Sequence, residues 1–133
     1  MSDKRETGRA AMQEILGAAY MERRDANTND FNAPLRRLSE EMAFGDVWQR
    51  PGLERKWRSL LCLAMLTALN RPHEIAIHVT SAINNGATPE DIREVLLHSV
   101  PYCGLPAAID ATKVAEDTLR QAGHIPRTAG GAS

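Results

Sequence analysis

Glu74 and His78 are the residue types of an acid–base device, and they stand four positions apart in Arg71-Pro72-His73-Glu74-Ile75-Ala76-Ile77-His78. Pro72 suits the first position of a helix. Four-residue spacing then sends both side chains out of one face. A carboxylate beside an imidazole orients the ring and favours its protonated form, and the ring exchanges protons near neutral pH. Such pairs also occur on ordinary solvated helices, so the surroundings decide what this one does.

Other residues invite chemical readings. His73-Glu74 and His78 imitate the zinc-protease pattern His-Glu-x-x-His with one residue too many. Five positions put the two histidines about 140° apart around a helix, so they cannot share a zinc ion. His98 could join Glu74 and His78 at a metal, but no spacing rule supports it. Arg58, at the head of an apolar run, is either a rim charge or an anion binder. Trp48, in the connector Asp46–Gly52, either anchors that connector or walls a pocket. Tyr102-Cys103-Gly104-Leu105-Pro106 reads as a turn that either is structural or brings the Tyr102 hydroxyl to a pocket mouth. Cys62 sits in an apolar helical run and reads as a buried small hydrophobe. Neither Cys62 nor Cys103 belongs to a Cys-x-x-Cys pair.

The elements that must hold these residues are all helical. Met12, Ile15, Leu16, Ala19 and Tyr20 predict a helix over 7–22, followed by a polar loop over 23–32. Leu35, Leu38 and Met42 mark a short helix closed by Phe44-Gly45. The segment 53–70 is the most apolar, with leucines around much of its circumference, and predicts a central helix packed on several sides. A helix over 72–85 follows, ended by Gly86 in a left-handed cap. Thr88-Pro89-Glu90-Asp91 opens the next helix, running through Ser99. Pro101 to Pro106 interrupts, and a last helix spans 107–121. No β-alternation appears. The expectation is one all-α domain of about six helices over 1–124, with a disordered tail over 125–133.

Composition narrows the function. With 133 residues, a net charge of -1 and scattered basic residues, nothing points to nucleic acid. No apolar run approaches the roughly 20 residues that span a bilayer, and no signal peptide is evident, so a cytoplasmic protein is expected. The apolar surplus of Leu60 to Leu69 predicts association of subunits.

The motifs occur in a familiar order. Gly45-Asp46-Val47-Trp48-Gln49-Arg50-Pro51-Gly52-Leu53 resembles the G-x-x-W-x-R-P-G-L segment of the carboxymuconolactone decarboxylase family. Arg58-Ser59-Leu60, Glu74-x-x-x-His78-Val79, Asn84-Asn85-Gly86-Ala87-Thr88, Glu94-Val95-Leu96 and Tyr102-Cys103-Gly104-Leu105-Pro106-Ala107-Ala108 continue the likeness. It spans roughly Phe31 to Glu116. Alkylhydroperoxidase D-like members need a Cys-x-x-Cys, which is missing, so the chain is most similar to the γ-carboxymuconolactone decarboxylase branch. Ile109-Asp110-Ala111-Thr112 departs from the Asn and aromatic residue expected after Ala108, which bears on the substrate more than on the reaction class.

That resemblance implies a helical subunit forming a homo-oligomer, a hexamer or trimer, without metal or organic cofactor. It implies decarboxylation of γ-carboxymuconolactone in protocatechuate catabolism. The departing carboxylate is conjugated through an alkene to the lactone carbonyl, so the substrate is its own electron sink. On this reading His78 donates the proton and Glu74 holds its ring. Arg58 clamps the acetate arm, Trp48 excludes water, and Tyr102 or nearby amides stabilise the dienolate oxygen. A diverged peroxidase or lactone-processing enzyme of the same fold, or a non-catalytic oligomeric binding protein, are the alternatives.

Overall fold

The computed structural model describes residues 2–127 and contains seven α-helices and no strand among them. The all-α expectation holds, with one helix more than anticipated. The expected tail from Thr128 onward lies outside the described residues. Two compact units divide the chain, Met1–Arg58 and Ser59–Ser133.

In the first unit, α1 (Asp3–Leu16) starts at Ser2, whose hydroxyl accepts from the Arg5 amide at 3.2 Å. It buries Ala11, Met12, Ile15 and Leu16. The single helix expected over 7–22 is in fact two. Gly17 adopts φ 97°, a conformation that costs glycine nothing, and α2 (Ala18–Ala26) begins immediately after it. The start of the expected loop, 23–26, is therefore helical. Only 27–32 remains irregular, where Asn29 Oδ1 accepts from the Phe31 and Asn32 amides.

Helix α3 (Ala33–Leu38) runs on into π-helical turns over Ser39–Phe44, then a 3-10 turn at Val47–Gln49. Leu35, Leu38 and Met42, which predicted this helix, are each more than half exposed. Its inward face instead carries Glu40, 1% exposed. A dry carboxylate must be compensated. Arg24 Nη1 donates to it at 2.7 Å and Arg9 Nη1 at 2.9 Å, and Arg5 Nε donates to its other oxygen. Burial pushes the Glu40 carboxyl up, but these three guanidinium bonds outweigh it and hold it below its ordinary 4.5. Glycine permits the close crossing of α1 over the π turns. A Cβ on Gly8 would overlap the Glu40 carbonyl.

In the second unit, Leu60 and Leu63 from α4 (Arg55–Ala68), Ile75, Val79 and Ala82 from α5 (Pro72–Asn84), Ile92 and Leu96 from α6 (Pro89–Cys103), and Ala111, Ala115 and Leu119 from α7 (Leu105–Gln121) share one core. Helix α4, expected to be packed on several sides, leaves one whole stripe uncovered in the protomer. Its Trp57, Leu61, Met65 and Leu69 recur every four residues and are 45–68% exposed, so in the protomer it is amphipathic. Asn70, at φ 56°, ends α4 in a left-handed cap, and the Arg71 amide returns to the Leu66 carbonyl at 2.9 Å.

The expected cap at Thr88 is present as a capping box: Thr88 accepts from the Asp91 amide at 3.1 Å, and Asp91 from the Thr88 amide at 3.0 Å. Helix α6 outruns its expected end, passing through Pro101 to Cys103. Proline there forfeits one backbone bond near the helix end. The break falls at Gly104, φ 92°. Ile125, placed in the expected tail, is half-buried against the core. An apolar groove of about 620 Å³ lies between α6 and α7, lined by Leu97, Val100, Leu105 and Ile109 among others. No helix among the described residues is long and apolar enough to cross a membrane.

Glu40→Gln leaves three guanidiniums around a neutral amide. It should cost about 3–5 kcal/mol in urea unfolding at pH 7. Because the folded carboxyl titrates below 4.5, that stabilisation is present above the unfolded value and lost as pH falls through the folded one. The gap between parent and variant should therefore close in acid. An equal gap at pH 7 and pH 3 would refute this account.

Candidate active site

Helix α5 carries two stripes. Ile75, Val79 and Ala82, each 1% exposed or less, turn one side into the core. Glu74, His78, Ser81 and Asn85 recur at four- and three-residue steps and form the other. The first stripe fixes the rotation of the helix, and so aims the second.

His78 is only partly exposed. Its Nδ1 has no access to solvent and no hydrogen-bond partner. The Nε2 side is therefore the open edge of the ring. Burial lowers the pKa of His78, and the charge of Glu74 raises it, with burial prevailing, so the imidazole titrates below 6.5. The expected action of Glu74 is right in sign and too weak to decide the outcome. Among the described residues no hydrogen bond joins the pair; Glu74 acts through its field.

The remaining members of the stripe were missed from sequence. Ser81 and Ser59 are fully buried, and their hydroxyl oxygens lie 2.9 Å apart. Asn85 Nδ2 donates to Ser59 Oγ at 3.0 Å and to the Ser81 carbonyl at 2.8 Å. Extending the Glu74–His78 spacing by three and seven residues would have found Ser81 and Asn85. Nothing local in the sequence marks Ser59 as their partner.

Arg58 and Trp48 belong to the first unit. Arg58 Nε donates to the Leu53 carbonyl at 3.2 Å and Nη2 to the Arg50 carbonyl at 3.1 Å. The side-on edge of its guanidinium thus secures the Pro51-Gly52 turn. The end-on edge, Nη1 with the second Nη2 hydrogen, makes no hydrogen bond among the described residues. Trp48, 8% exposed, stacks on Phe44 with ring centres 5.5 Å apart. Tyr102 sits in the last turn of α6 rather than in a break. It is 78% exposed, its ring 5.2 Å from that of His98. The structure thus joins Glu74 with His78, and Tyr102 with His98. Cys62 and Cys103 are free thiols, and burial pushes the Cys62 thiol up. No group of three or more His, Cys, Asp or Glu among the described residues is placed to hold a metal ion.

An imidazole with one open edge beside a carboxylate can deliver a proton to carbon, the step that completes a decarboxylation. The model of the carboxymuconolactone decarboxylase family matches residues 33–117. The chain belongs to the carboxymuconolactone decarboxylase family. It is 40% identical over 113 residues to a 4-carboxymuconolactone decarboxylase of Acinetobacter baylyi, covering 85% of this chain and 84% of that one. It is 43% identical over 107 residues to a nitrosuccinic acid decarboxylase of Metarhizium robertsii, covering 80% and 75%. The family member described here is a carboxy-lyase of this kind.

NMR titration of His78 in the ligand-free protein should give a midpoint below 6.5, the ordinary value. Glu74→Gln should lower it further, because the only charge that favours the imidazolium is gone. A midpoint above 6.5, or one that rises in the variant, would refute the ordering of burial over charge.

Proposed function

We propose that the protein decarboxylates γ-carboxymuconolactone to β-ketoadipate enol-lactone in protocatechuate breakdown, with His78 as the acid. The observation that carries this reading is the Glu74–His78 pair, with its single open imidazole edge, in a chain 40% identical to a 4-carboxymuconolactone decarboxylase. The C–CO₂ bond breaks and its electron pair passes through the alkene to the lactone carbonyl, giving a dienolate. The imidazolium of His78 then returns a proton to the carbon α to that carbonyl. No electrons are gained or lost, and neither metal nor organic cofactor is required by the electron count. The free edge of Arg58 holds the acetate arm, which keeps its charge throughout, so the clamp does not oppose departure of CO₂. Trp48 shields the site, and Tyr102 or nearby amides donate to the dienolate oxygen.

The second relative supports a related reading. In nitrosuccinic acid the departing carboxylate sits on a carbon that also bears an acetate arm, as it does in the lactone. The nitro group replaces the conjugated carbonyl as sink. A site that clamps the arm and protonates carbon serves both. The substrate class is then a dicarboxylate whose reacting carbon carries a –CH₂–COO⁻ arm and an electron sink, with the lactone as first choice.

The proposed active form is a homo-oligomer, a hexamer or trimer. The outward apolar faces Phe31/Leu35/Leu38/Met42 and Trp57/Leu61/Met65/Leu69 support it. Light scattering should give a mass several times 14.6 kDa; a monomer at micromolar concentration would rule it out.

Metal-free protein mixed with the lactone should abolish its ultraviolet absorbance, and 3-nitropropionate formation from nitrosuccinate tests the second reading. His78→Gln should lower kcat by about 10²–10⁴-fold. Arg58→Lys should mainly raise KM, since a point charge replaces a fork. The free enzyme's kcat/KM should fall off toward alkali from a lower pH than kcat, because a bound dianion favours the imidazolium. Wild-type turnover in folded His78→Gln would remove the acid from this scheme.

A further inference from the structure

Two buried groups on the polar stripe of α5 have unspent hydrogen-bonding capacity. One is His78 Nδ1, which has no partner. The other lies one turn on, in the Ser59–Ser81 hydroxyl pair. These two hydroxyls own two protons, and the bond between them spends one. Asn85 donates to the pair and takes neither proton. Other hydroxyls in the chain, such as Thr67, Thr80 and Ser99, return their proton to the carbonyl four residues back. Ser59 and Ser81 show no such bond. A fully buried hydroxyl proton and a solvent-sealed imidazole nitrogen therefore face the same side of one helix, three residues apart. Three residues is the spacing at which helical side chains meet.

We propose that Ser81, paired with Ser59 and pinned by Asn85, is the inward partner of His78 Nδ1 through one bridging water, and so positions the ring to transfer its proton from Nε2. No direct bond joins Nδ1 to either hydroxyl, and a bridging water would find its polar partners in that nitrogen and the two hydroxyls. The chemistry also suits a proton donor that must be recharged. Neutral Nδ1 accepts a hydrogen bond, whereas the imidazolium must donate one there. A hydroxyl rotates to do either, and a fixed carbonyl or amide does not. Ser81 and Ser59 act through His78 and are positioning residues. This inference rests on His78 being the acid of the proposed reaction.

The charged surroundings of His78 are sparse. On its own helix Glu74 is the group whose charge acts on it. The core-facing stripe of α5 beside it meets Ala111, Ala115 and Leu119 from α7 and Ile92 and Leu96 from α6, none titratable. Helix α4 brings Ser59, Leu60 and Leu63, with Cys62 beside them as a neutral thiol.

The test reads His78 directly and then the reaction. In ligand-free Ser81→Ala, the NMR midpoint of His78 should drop by about one pH unit, the worth of a hydrogen bond to a charged group. The alkaline limb of kcat/KM should move down with it, and kcat should fall about tenfold with KM within twofold. Ser81→Thr, which keeps the hydroxyl, should restore both limb and midpoint. Ser59→Ala, which deletes the second hydroxyl and leaves α5 unaltered, should give a smaller drop in the same direction, and it serves where Ser81→Thr is too large for the core. A folded Ser81→Ala or Ser59→Ala protein whose His78 titrates as in the parent overturns the proposal. A shifted titration in protein that turns over neither the lactone nor nitrosuccinate upholds the Ser81–His78 link and refutes the proposed reaction instead.

Discussion

Rotation of α5 about its own axis is the constraint on which the site depends. Ile75, Val79 and Ala82 are locked against α6 and α7, and no rotation of the helix keeps them there while turning Glu74 and His78 elsewhere. Packing density is what makes this rigid: a core side chain cannot shift by a fraction of its width without opening a void. The alanines of α7 add to it by letting α5 lie close. The polar stripe inherits its direction from the apolar one, with no hydrogen bond needed to hold the whole helix in place. The polar groups are then left to adjust the ring alone.

The two units treat buried charge in opposite ways. In the first, Glu40 is fully compensated by three guanidiniums and stays ionised. Such a group is chemically inert near neutral pH, and its role is to tie α1, α2 and the π turns together. In the second, His78 is dried on one side and given one carboxylate, Glu74, a helical turn away. Burial disfavours its charged form, and a group in that condition gives up a proton readily. The apolar groove between α6 and α7, by contrast, is lined by neither Glu74 nor His78. Its chemistry suits an apolar contact rather than a dianion.

Much of this was legible in the sequence. Periodicity gave the all-α class, and the caps at Thr88, Gly86 and Gly104 were readable because each turn needs a particular residue type. What failed did so for identifiable reasons. Gly17 was absorbed into a continuous pattern, although a positive-φ glycine can cut a helix without disturbing the apolar spacing on either side. Pro101 suggests a break from sequence, although near a helix end it forfeits little. Leu35, Leu38 and Met42 marked their helix correctly and its inward face wrongly, because spacing does not say which side is covered. The Glu74–His78 pair was legible since both members share one helix. Ser59 was not, because its link to Ser81 and Asn85 exists only once α4 and α5 fold together.

A dry imidazole also bears on selectivity. With the site empty, burial outweighs Glu74 and the ring is predominantly neutral at pH 7. A neutral ring cannot protonate a dienolate or a nitronate. On the proposed reaction, the proton must be present when CO₂ leaves, so the ring must gain it as substrate enters. Two carboxylates supply the negative charge for that gain. A monoanion lacking the acetate arm brings half the charge and no partner for the free edge of Arg58. It therefore loses twice, once in binding and once in the protonation of His78. On the proposed reaction, discrimination for dicarboxylates then has two sources, the Arg58 clamp on the arm and the burial of one imidazole nitrogen.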